Sequence, residues 1–255
     1  NNSDDNLIFL MHLNNDSSIG ENATYFVDSS QGINNATCDA GSGDCPTLNT
    51  TGCIFGDCYT FDNSDDHIIM GITDSSEQGT VEAWIKPMSN GDANTILASA
   101  NDGGDSQFIQ FKVGGGDAIV LEQINLDTNT RIDSQTKMNV GDWHHVAFSS
   151  DGSEYFMYVN GVRSTFILQS GSNNGDWFAD TDSRDNMVIG RVMRQSPIEP
   201  FDGSIDEVTI WNRTLTDQEI HEHYLRGVLR LSLQARSCDE PNCIGETFSD
   251  NLYSS

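Results

Sequence analysis

The stretch FDGSIDEVTIWNRTLTDQEI, residues 201–220, decides the fold of this chain. A tight turn at its start leads into a run in which apolar residues alternate with polar ones. Successive side chains of a strand point to opposite faces, so strict alternation places Val208 and Ile210 on one face and Ile205 and Trp211 on the other. The stretch therefore predicts a strand with one face in a core.

The end of the same stretch predicts a short helix. Thr216 is followed three residues later by Glu219, the spacing of a capping box that opens a helix. We expect the helix to cover residues 216–226 and Gly227 to cap it.

Short alternating or apolar runs predict many further strands. Turn pairs such as Asp151-Gly152 and Asn160-Gly161 separate several of them, whereas residues 14–52 are polar and predict long loops. The pattern predicts an all-β fold, a two-sheet antiparallel β-sandwich with one short C-terminal helix. The predicted strands are 7–13, 57–62, 67–72, 80–86, 94–99, 107–113, 118–124, 130–137, 143–149, 154–160, 163–168, 186–191 and 204–211.

Four segments occur in the order found in laminin-G-like domains, which have a concanavalin A-like jelly-roll fold. They are residues 55–69, VEAWIKP at 81–87, GDWHHVAFS at 141–149 with the hairpin that follows, and residues 201–220. The chain resembles this part of the concanavalin A-like lectin/glucanase superfamily over most of residues 6–226. The resemblance implies a jelly roll whose relatives mostly bind or assemble, in a prokaryotic multi-domain surface protein, with an archaeal source as one option.

We expect two parts, a laminin-G-like sandwich over residues 1–226 and a C-terminal extension over 227–255. Val228, Leu229, Leu231 and Leu233 predict an apolar strand over 228–233. This strand would begin a following β module or pair with a neighbouring subunit by β-augmentation.

The charge of the chain excludes several partners. Lys and Arg number 12 against 39 Asp and Glu, giving a formal net charge of -27. Such a surface repels nucleic-acid backbones and anionic headgroups, and it suits either a saline habitat or an ordinary acidic secreted protein. No apolar run is long enough to span a bilayer, so we expect no membrane insertion in this chain. The chain begins at Asn1 rather than Met, which suggests a processed or excised product.

Six cysteines fall in three close pairs, although six cysteines allow 15 connectivities. No pair has the C-x2-C spacing of a zinc site, so sequential disulfides are favoured over a metal site or free thiols. Disulfides predict an extracellular compartment. The predicted bridges are Cys38–Cys45, Cys53–Cys58 and Cys238–Cys243.

Asn-x-Ser/Thr sequons predict N-glycosylation and an extracellular or cell-surface location. Most of them fall in the first 51 residues, which indicates a glycosylated, exposed N-terminal region. The candidate sites are Asn1, Asn15, Asn22, Asn35, Asn49 and Asn212.

The family resemblance also implies one structural calcium ion. The segment Asp28–Gly32 resembles the family's Asp-x-Ser-Gly loop, with Gln31 as a departure from it. By that resemblance Asn14, Asp28 and Asp206 are the candidate ligands, since Ca²⁺ takes oxygen donors. The alternative is that these residues cap turns in an acid-rich chain.

The residues argue against catalysis. Glucanases of this superfamily carry paired carboxylates as Glu-x-Asp-x-x-Glu on one strand, and this spacing is absent. Adjacent Asp206 and Glu207 should point to opposite faces. Trp143 and Trp211 are expected in the core, whereas Trp177 follows a polar loop and is the candidate exposed platform for a sugar ring.

The leading hypothesis is a non-catalytic extracellular adhesion or carbohydrate-binding module of a cell-surface glycoprotein, whose partner is a glycan or a surface protein. One alternative is a structural subunit of a surface layer or extracellular filament, assembled through residues 228–233. The other is a carbohydrate-active enzyme.

Overall fold

A computed structural model describes residues 5–89, 91 and 94–236 of the chain, with only the backbone described for 230–236. It contains two antiparallel sheets packed face to face, which confirms the predicted β-sandwich.

Sheet I contains eight described strands and carries the helix on its outer face. Its strand order is β14-β13-β12-β7-β17-β5-β4, with β1 also paired to β17. These strands are β1 (Leu7–Met11), β4 (Thr47–Asn49), β5 (Cys58–Asp62), β7 (Gly79–Pro87), β12 (His144–Ser150), β13 (Tyr155–Val159), β14 (Val162–Ser164) and β17 (Asp202–Trp211).

Sheet II contains nine described strands. Its order is β15-β11-β10-β9-β8-β16-β6-β3-β2. These strands are β2 (Tyr25–Phe26), β3 (Ala36–Thr37), β6 (Ile68–Met70), β8 (Asn94–Ala100), β9 (Gln107–Gly114), β10 (Ala118–Asn125), β11 (Thr128–Lys137), β15 (Phe166–Ser170) and β16 (Asn186–Ile189). The predicted long loops of residues 14–52 therefore contain three short strands, β2, β3 and β4.

Strand alternation fills the space between the sheets. Val81, Ala83 and Ile85 of β7 belong to the same buried cluster as Ile109 and Phe111 of β9. The residues between them on β7 consequently point to the other face of sheet I, where the helix lies.

The predicted strand over 163–168 is two strands. Ser164 pairs with Met157 in sheet I, whereas Phe166 pairs with Ser134 in sheet II. The chain thus crosses from one sheet to the other at Thr165, which an alternation pattern does not reveal.

A β-bulge interrupts β17. The register against β7 shifts between Asp206 and Thr209, and Glu207 has a φ of 52°. Because of this shift Ile205, Val208 and Ile210 all lie in the core. The prediction that Ile205 faces away from Val208 is therefore wrong.

The C-terminal helix α1 covers Asp217–Arg236. Its predicted capping box is confirmed: the Glu219 amide donates to Thr216 Oγ1 at 3.2 Å, and the Thr216 amide donates to Glu219 Oε2 at 2.8 Å. Within the described part of the chain, no helix is both long and apolar enough to cross a membrane.

The prediction of a strand over 228–233 is wrong, because this segment belongs to α1. Its leucines and arginines favour a helix as readily as an alternating strand. Gly227 is inside the helix rather than at its cap, and a Cβ at Gly227 would overlap the ring of Trp84. The predicted domain boundary at 226/227 therefore falls within α1. Residues 228–233 do not form the strand that β-augmentation would require.

Two predicted disulfides, Cys38–Cys45 and Cys53–Cys58, are confirmed. The predicted Cys238–Cys243 bridge lies outside the described residues. The two observed bridges close short loops in the strand-poor N-terminal region, where the chain has few ladder hydrogen bonds to hold it.

Candidate functional site

A cleft of about 220 Å³ opens on the outer face of sheet I, between the strands and α1. Most of its polar side chains come from residues that alternate with the core positions of β1, β7, β12 and β17. Because successive side chains of a strand point to opposite faces, these residues point to the outer face of sheet I. We call it the helix-side cleft. The lining residues discussed below are His12, Glu82, Trp84, His145, Glu207, Trp211, His223 and Arg226.

Glu82 is the buried centre of the cleft floor, with 3% of its surface exposed. Its Oε2 lies 2.8 Å from His223 Nδ1 and accepts a hydrogen bond from Trp211 Nε1 at 3.2 Å. His145 Nε2 lies 3.5 Å from Glu82 Oε1. Among the residues that the structure describes, Glu82 Oε1 and His145 Nδ1 have no hydrogen-bond partner, so the floor retains unused polar capacity.

Aromatic rings hold α1 against the sheet. Trp211 stacks on His223 with ring centroids 5.7 Å apart and planes 17° apart. Trp84 stacks on Tyr224 at 5.8 Å and 23°. One wall of the cleft is therefore helical and is fixed by contacts with the strands that form the floor.

The bulge in β17 supplies the second carboxylate of the cleft. Glu207 bonds His12 Nδ1 through both oxygens, at 2.8 and 3.0 Å. The bond to Glu207 raises the pKa of His12, against the opposing effect of burial. Of the two side chains His12 is the more exposed, at 38% against 17% for Glu207, so this pair is the accessible polar edge of the cleft.

Sequence reasoning missed both Glu207 and Glu82 as site residues. Alternation does place Glu207 on the same face as Trp211, but Trp211 was expected in the core, whereas this face lines the cleft. For Glu82 a signal was present, because an acidic residue in the middle of the apolar run VEAWIKP must either lie at a surface or be paired.

The prediction that Trp177 is an exposed platform for a sugar ring is wrong. Its exposed fraction is 0%, and its ring packs 5.2 Å from those of Phe111 and Phe178. The polar residues before it suggested a surface loop, but Trp177 opens a single 3-10 turn, Phe178–Asp180, that inserts both aromatic rings into the core.

The predicted calcium ligands differ in how much oxygen capacity they retain. Asp206 is fully buried; its Oδ2 accepts from the amides of Ile54 and Phe55, both at 3.1 Å, while Oδ1 has no partner among the described residues. Burial, and then the charge of Glu207, raise the pKa of Asp206 well above its ordinary value.

Asn14 contacts the same loop as Asp206, since its Oδ1 accepts from the Asp57 amide at 3.1 Å. Asp28 instead accepts four hydrogen bonds, which occupy about all the lone-pair positions of a carboxylate. Asp206 Oδ1 thus retains acceptor capacity, whereas the Asp28 oxygens accept from its own loop and from the Leu10 amide of β1. The calcium site stays a prediction.

Another acidic cluster was not predicted. Asp62, Asp65 and Asp66 are the one group of three in the described chain whose donor atoms lie within 4.8 Å of one another. Burial, and then the charge of Asp62, raise the pKa of Asp66 to about 6. Asp66 Oδ2 accepts from the Asp62 amide at 2.9 Å, so the cluster is organised as a turn.

The sequons differ in how available their side chains are. Asn22 and Asn212 are exposed, while Asn15 and Asn49 are partly covered. Asn35 donates from Nδ2 to the Tyr25 hydroxyl at 2.7 Å and accepts from the Asp28 amide at 2.9 Å. Asn1 lies outside the described residues.

The fold and the cleft on its outer face define a concanavalin A-like β-sandwich protein. The laminin G-type family model described as the concanavalin A-like lectin/glucanases superfamily matches residues 62–221, which is more than half of the chain. The chain belongs to this family.

Three solved structures illustrate the likeness in fold. Domain 4 of AbnA, a GH43 extracellular arabinanase from Geobacillus stearothermophilus in complex with arabinotriose, is 22% identical with a TM-score of 0.60, covering 85% of this chain and 97% of that one. The Ruminococcus gnavus IT-sialidase CBM40 bound to α2,3 sialyllactose is 21% identical with a TM-score of 0.53, covering 59% and 84%. NanB sialidase from Streptococcus pneumoniae is 21% identical with a TM-score of 0.54, covering 66% and 27%. At these identities the likeness concerns the fold.

His145 provides a pH test of the cleft floor. Burial lowers its pKa from 6.5 to about 4, so the folded protein keeps it neutral while the unfolded chain protonates it. The unfolded state binds more protons across this window, and stability should therefore fall as pH falls from 6.5 to 4, by about 3 kcal/mol at most. The measurement is urea unfolding at pH 7 and pH 4.5.

In His145→Gln the difference in unfolding free energy between the two pH values should shrink by most of that amount. His144→Gln is the matched control, because it leaves His145 in place. An equal pH dependence in wild type and His145→Gln would show that this histidine is not held neutral.

Proposed function

We propose that this chain is a non-catalytic carbohydrate-binding module of an extracellular protein, and that the helix-side cleft holds the sugar. The observation that carries the proposal is the combination of tryptophan rings with an accessible carboxylate–histidine pair in one cleft of a family of lectin-like folds. Structures with this fold include one in complex with arabinotriose and one bound to sialyllactose, which supports the proposal.

The cleft has the chemistry that sugars need. A pyranose or furanose ring presents C–H faces that pack on aromatic rings, and the half-buried Trp211 supplies such a surface, whereas Trp84 is 4% exposed. Ring hydroxyls can donate to Glu207 and can form a hydrogen bond with Nε2 of His12. At about 220 Å³ the cleft is smaller than the roughly 300–1,000 Å³ of drug-sized sites, which suits one sugar ring at the end of a longer glycan.

The arrangement of the carboxylates favours binding over hydrolysis. A glycosidase needs one carboxyl group as a proton donor and a second as nucleophile or base. Both oxygens of Glu207 are bonded to His12, and Glu82 Oε2 is bonded to His223 and Trp211. Glu82 is also 3% exposed, so the more accessible carboxylate is the one already held by His12, and this favours binding over hydrolysis.

The test of this function is a sugar-binding measurement with Trp211→Ala. Losing the stacking surface should weaken the affinity for a bound glycan at least about tenfold, which corresponds to about 1.4 kcal/mol. Calorimetry with arabinotriose, and with the strongest ligand from a glycan array, provides the measurement.

Trp143→Ala is the matched control, because Trp143 donates to the Gly52 carbonyl and does not line the cleft. Equal weakening by both variants would place the sugar elsewhere. Release of reducing sugar from the bound glycan would contradict a purely binding role.

We also propose a calcium ion beside the bulge, held by Asn14 and Asp206, as the family resemblance implies. Asp206 Oδ1, buried and without a partner among the described residues, supports the proposal. Binding to the native state alone would add about 2.7 kcal/mol at a hundredfold excess over Kd. Chelation should therefore lower the melting temperature, and calcium should restore it.

Asp206→Asn should lose this response, since it removes the charge but keeps an oxygen for the Ile54 and Phe55 amides. Asp66→Asn is the comparison variant. Loss of the calcium response in Asp66→Asn alone would move the ion to the Asp62–Asp66 cluster, and a melting curve unaffected by chelator would refute both sites.

The two disulfides and the sequons support an extracellular location. We propose that Asn22 and Asn212 carry N-glycans in the native protein, because their side chains are exposed. Asn35 should be unmodified, since a glycan on Nδ2 would disrupt its bond to Tyr25. Glycopeptide mapping of protein from its native source tests this, and an occupied Asn35 would contradict it.

A further inference from the structure

The charges in the helix-side cleft restrict which sugars it can accept. Two carboxylates, Glu82 and Glu207, line the cleft. Among the described lining residues, the one permanently charged cation is Arg226, which lies on α1 at the exposed rim. Three histidines face these carboxylates: His12 is paired with Glu207, and both His223 and the buried His145 lie beside Glu82.

A carboxylated sugar needs a different environment. Proteins that recognise a carboxylate usually offer a guanidinium fork or several convergent donors. Here the accessible edge is the His12–Glu207 pair, in which the carboxylate already accepts from His12 through both oxygens. Arg226 offers one guanidinium at the exposed rim, without a second permanently charged cation among the described lining residues to converge with it. An incoming carboxylate would lie beside a like charge, within a chain of net charge -27.

An uncharged sugar ring is not repelled by these carboxylates. Its hydroxyl groups both donate and accept, so they can donate to Glu207 and can form a hydrogen bond with Nε2 of His12 whether or not that nitrogen carries a proton. Its C–H face would pack on the exposed part of the half-buried Trp211, whose position is fixed by its hydrogen bond to Glu82, its stacking on His223 and the Arg213 guanidinium 5.4 Å from its ring centroid.

We propose, building on the carbohydrate-binding function above, that the helix-side cleft binds uncharged sugars and excludes sialic acids and uronic acids at neutral pH. Glu207 is the residue that sets this specificity. The chain thus differs in ligand class from the sialyllactose-bound module that shares its fold.

The experiment is a glycan array of neutral oligosaccharides, each beside its sialylated or uronate counterpart, followed by calorimetry on the strongest pair at pH 7.5. The neutral member should bind at least about tenfold more tightly. In Glu207→Gln, which removes the like charge but keeps a carbonyl oxygen as acceptor, the ratio of the affinity for the neutral member to that for the carboxylated member should fall at least several-fold.

Glu122→Gln is the charge-matched control, because Glu122 pairs with Lys112 on sheet II, away from the cleft. If it relaxes the selectivity as much as Glu207→Gln does, net charge rather than the cleft is responsible and the inference fails. Equal or tighter binding of carboxylated glycans, sensitive to Trp211→Ala, overturns the selectivity and leaves the binding function intact. Binding of no glycan at all overturns the proposed function itself.

Discussion

The β-bulge at Asp206 and Glu207 is the constraint on which the cleft-bearing face of this sandwich depends. On one edge of β17 the partner changes there from β5, which pairs with residues 202–205, to β1, which pairs with residues 208–211. The extra residue lets one strand serve two partners in succession. It also aims two adjacent carboxylates differently, Asp206 at the buried amides of the 54–55 loop and Glu207 at His12 across the cleft.

The attachment of α1 depends on a second polar contact. A carboxylate as buried as Glu82 is costly unless it is paired, so its bonds to His223 and Trp211 are a condition of packing the helix on this face. Gly227 lets the helix backbone approach the Trp84 ring, which a larger residue would prevent. The helix is therefore part of the cleft and cannot be treated as a separate C-terminal extension.

Most of the sandwich could be predicted from the sequence, because strand alternation and Gly/Asp turns are local signals. The capping box at Thr216 and Glu219 and both described disulfides were likewise readable from spacing alone. The predictions that were wrong concern contacts between elements that are distant in the sequence. A bulge in β17, a sheet change at Thr165 and the continuation of α1 past Gly227 are decided by which element packs opposite, and single-sequence patterns do not record this. The burial of Trp177 has the same origin, since its loop closes onto Phe111 of a distant strand.

The construction of the cleft also determines how a ligand would act on the protein. His223 and Arg226 belong to α1, whereas Glu82, Trp84 and Trp211 belong to the strands, so an occupant that touches both contributes its binding free energy to the docking of the helix. Residues up to Arg236 continue the same helix without a break. A sugar in the cleft would consequently stabilise the orientation in which the chain leaves the sandwich. One buried carboxylate and two stacked pairs of rings would carry that coupling between the cleft and the helix.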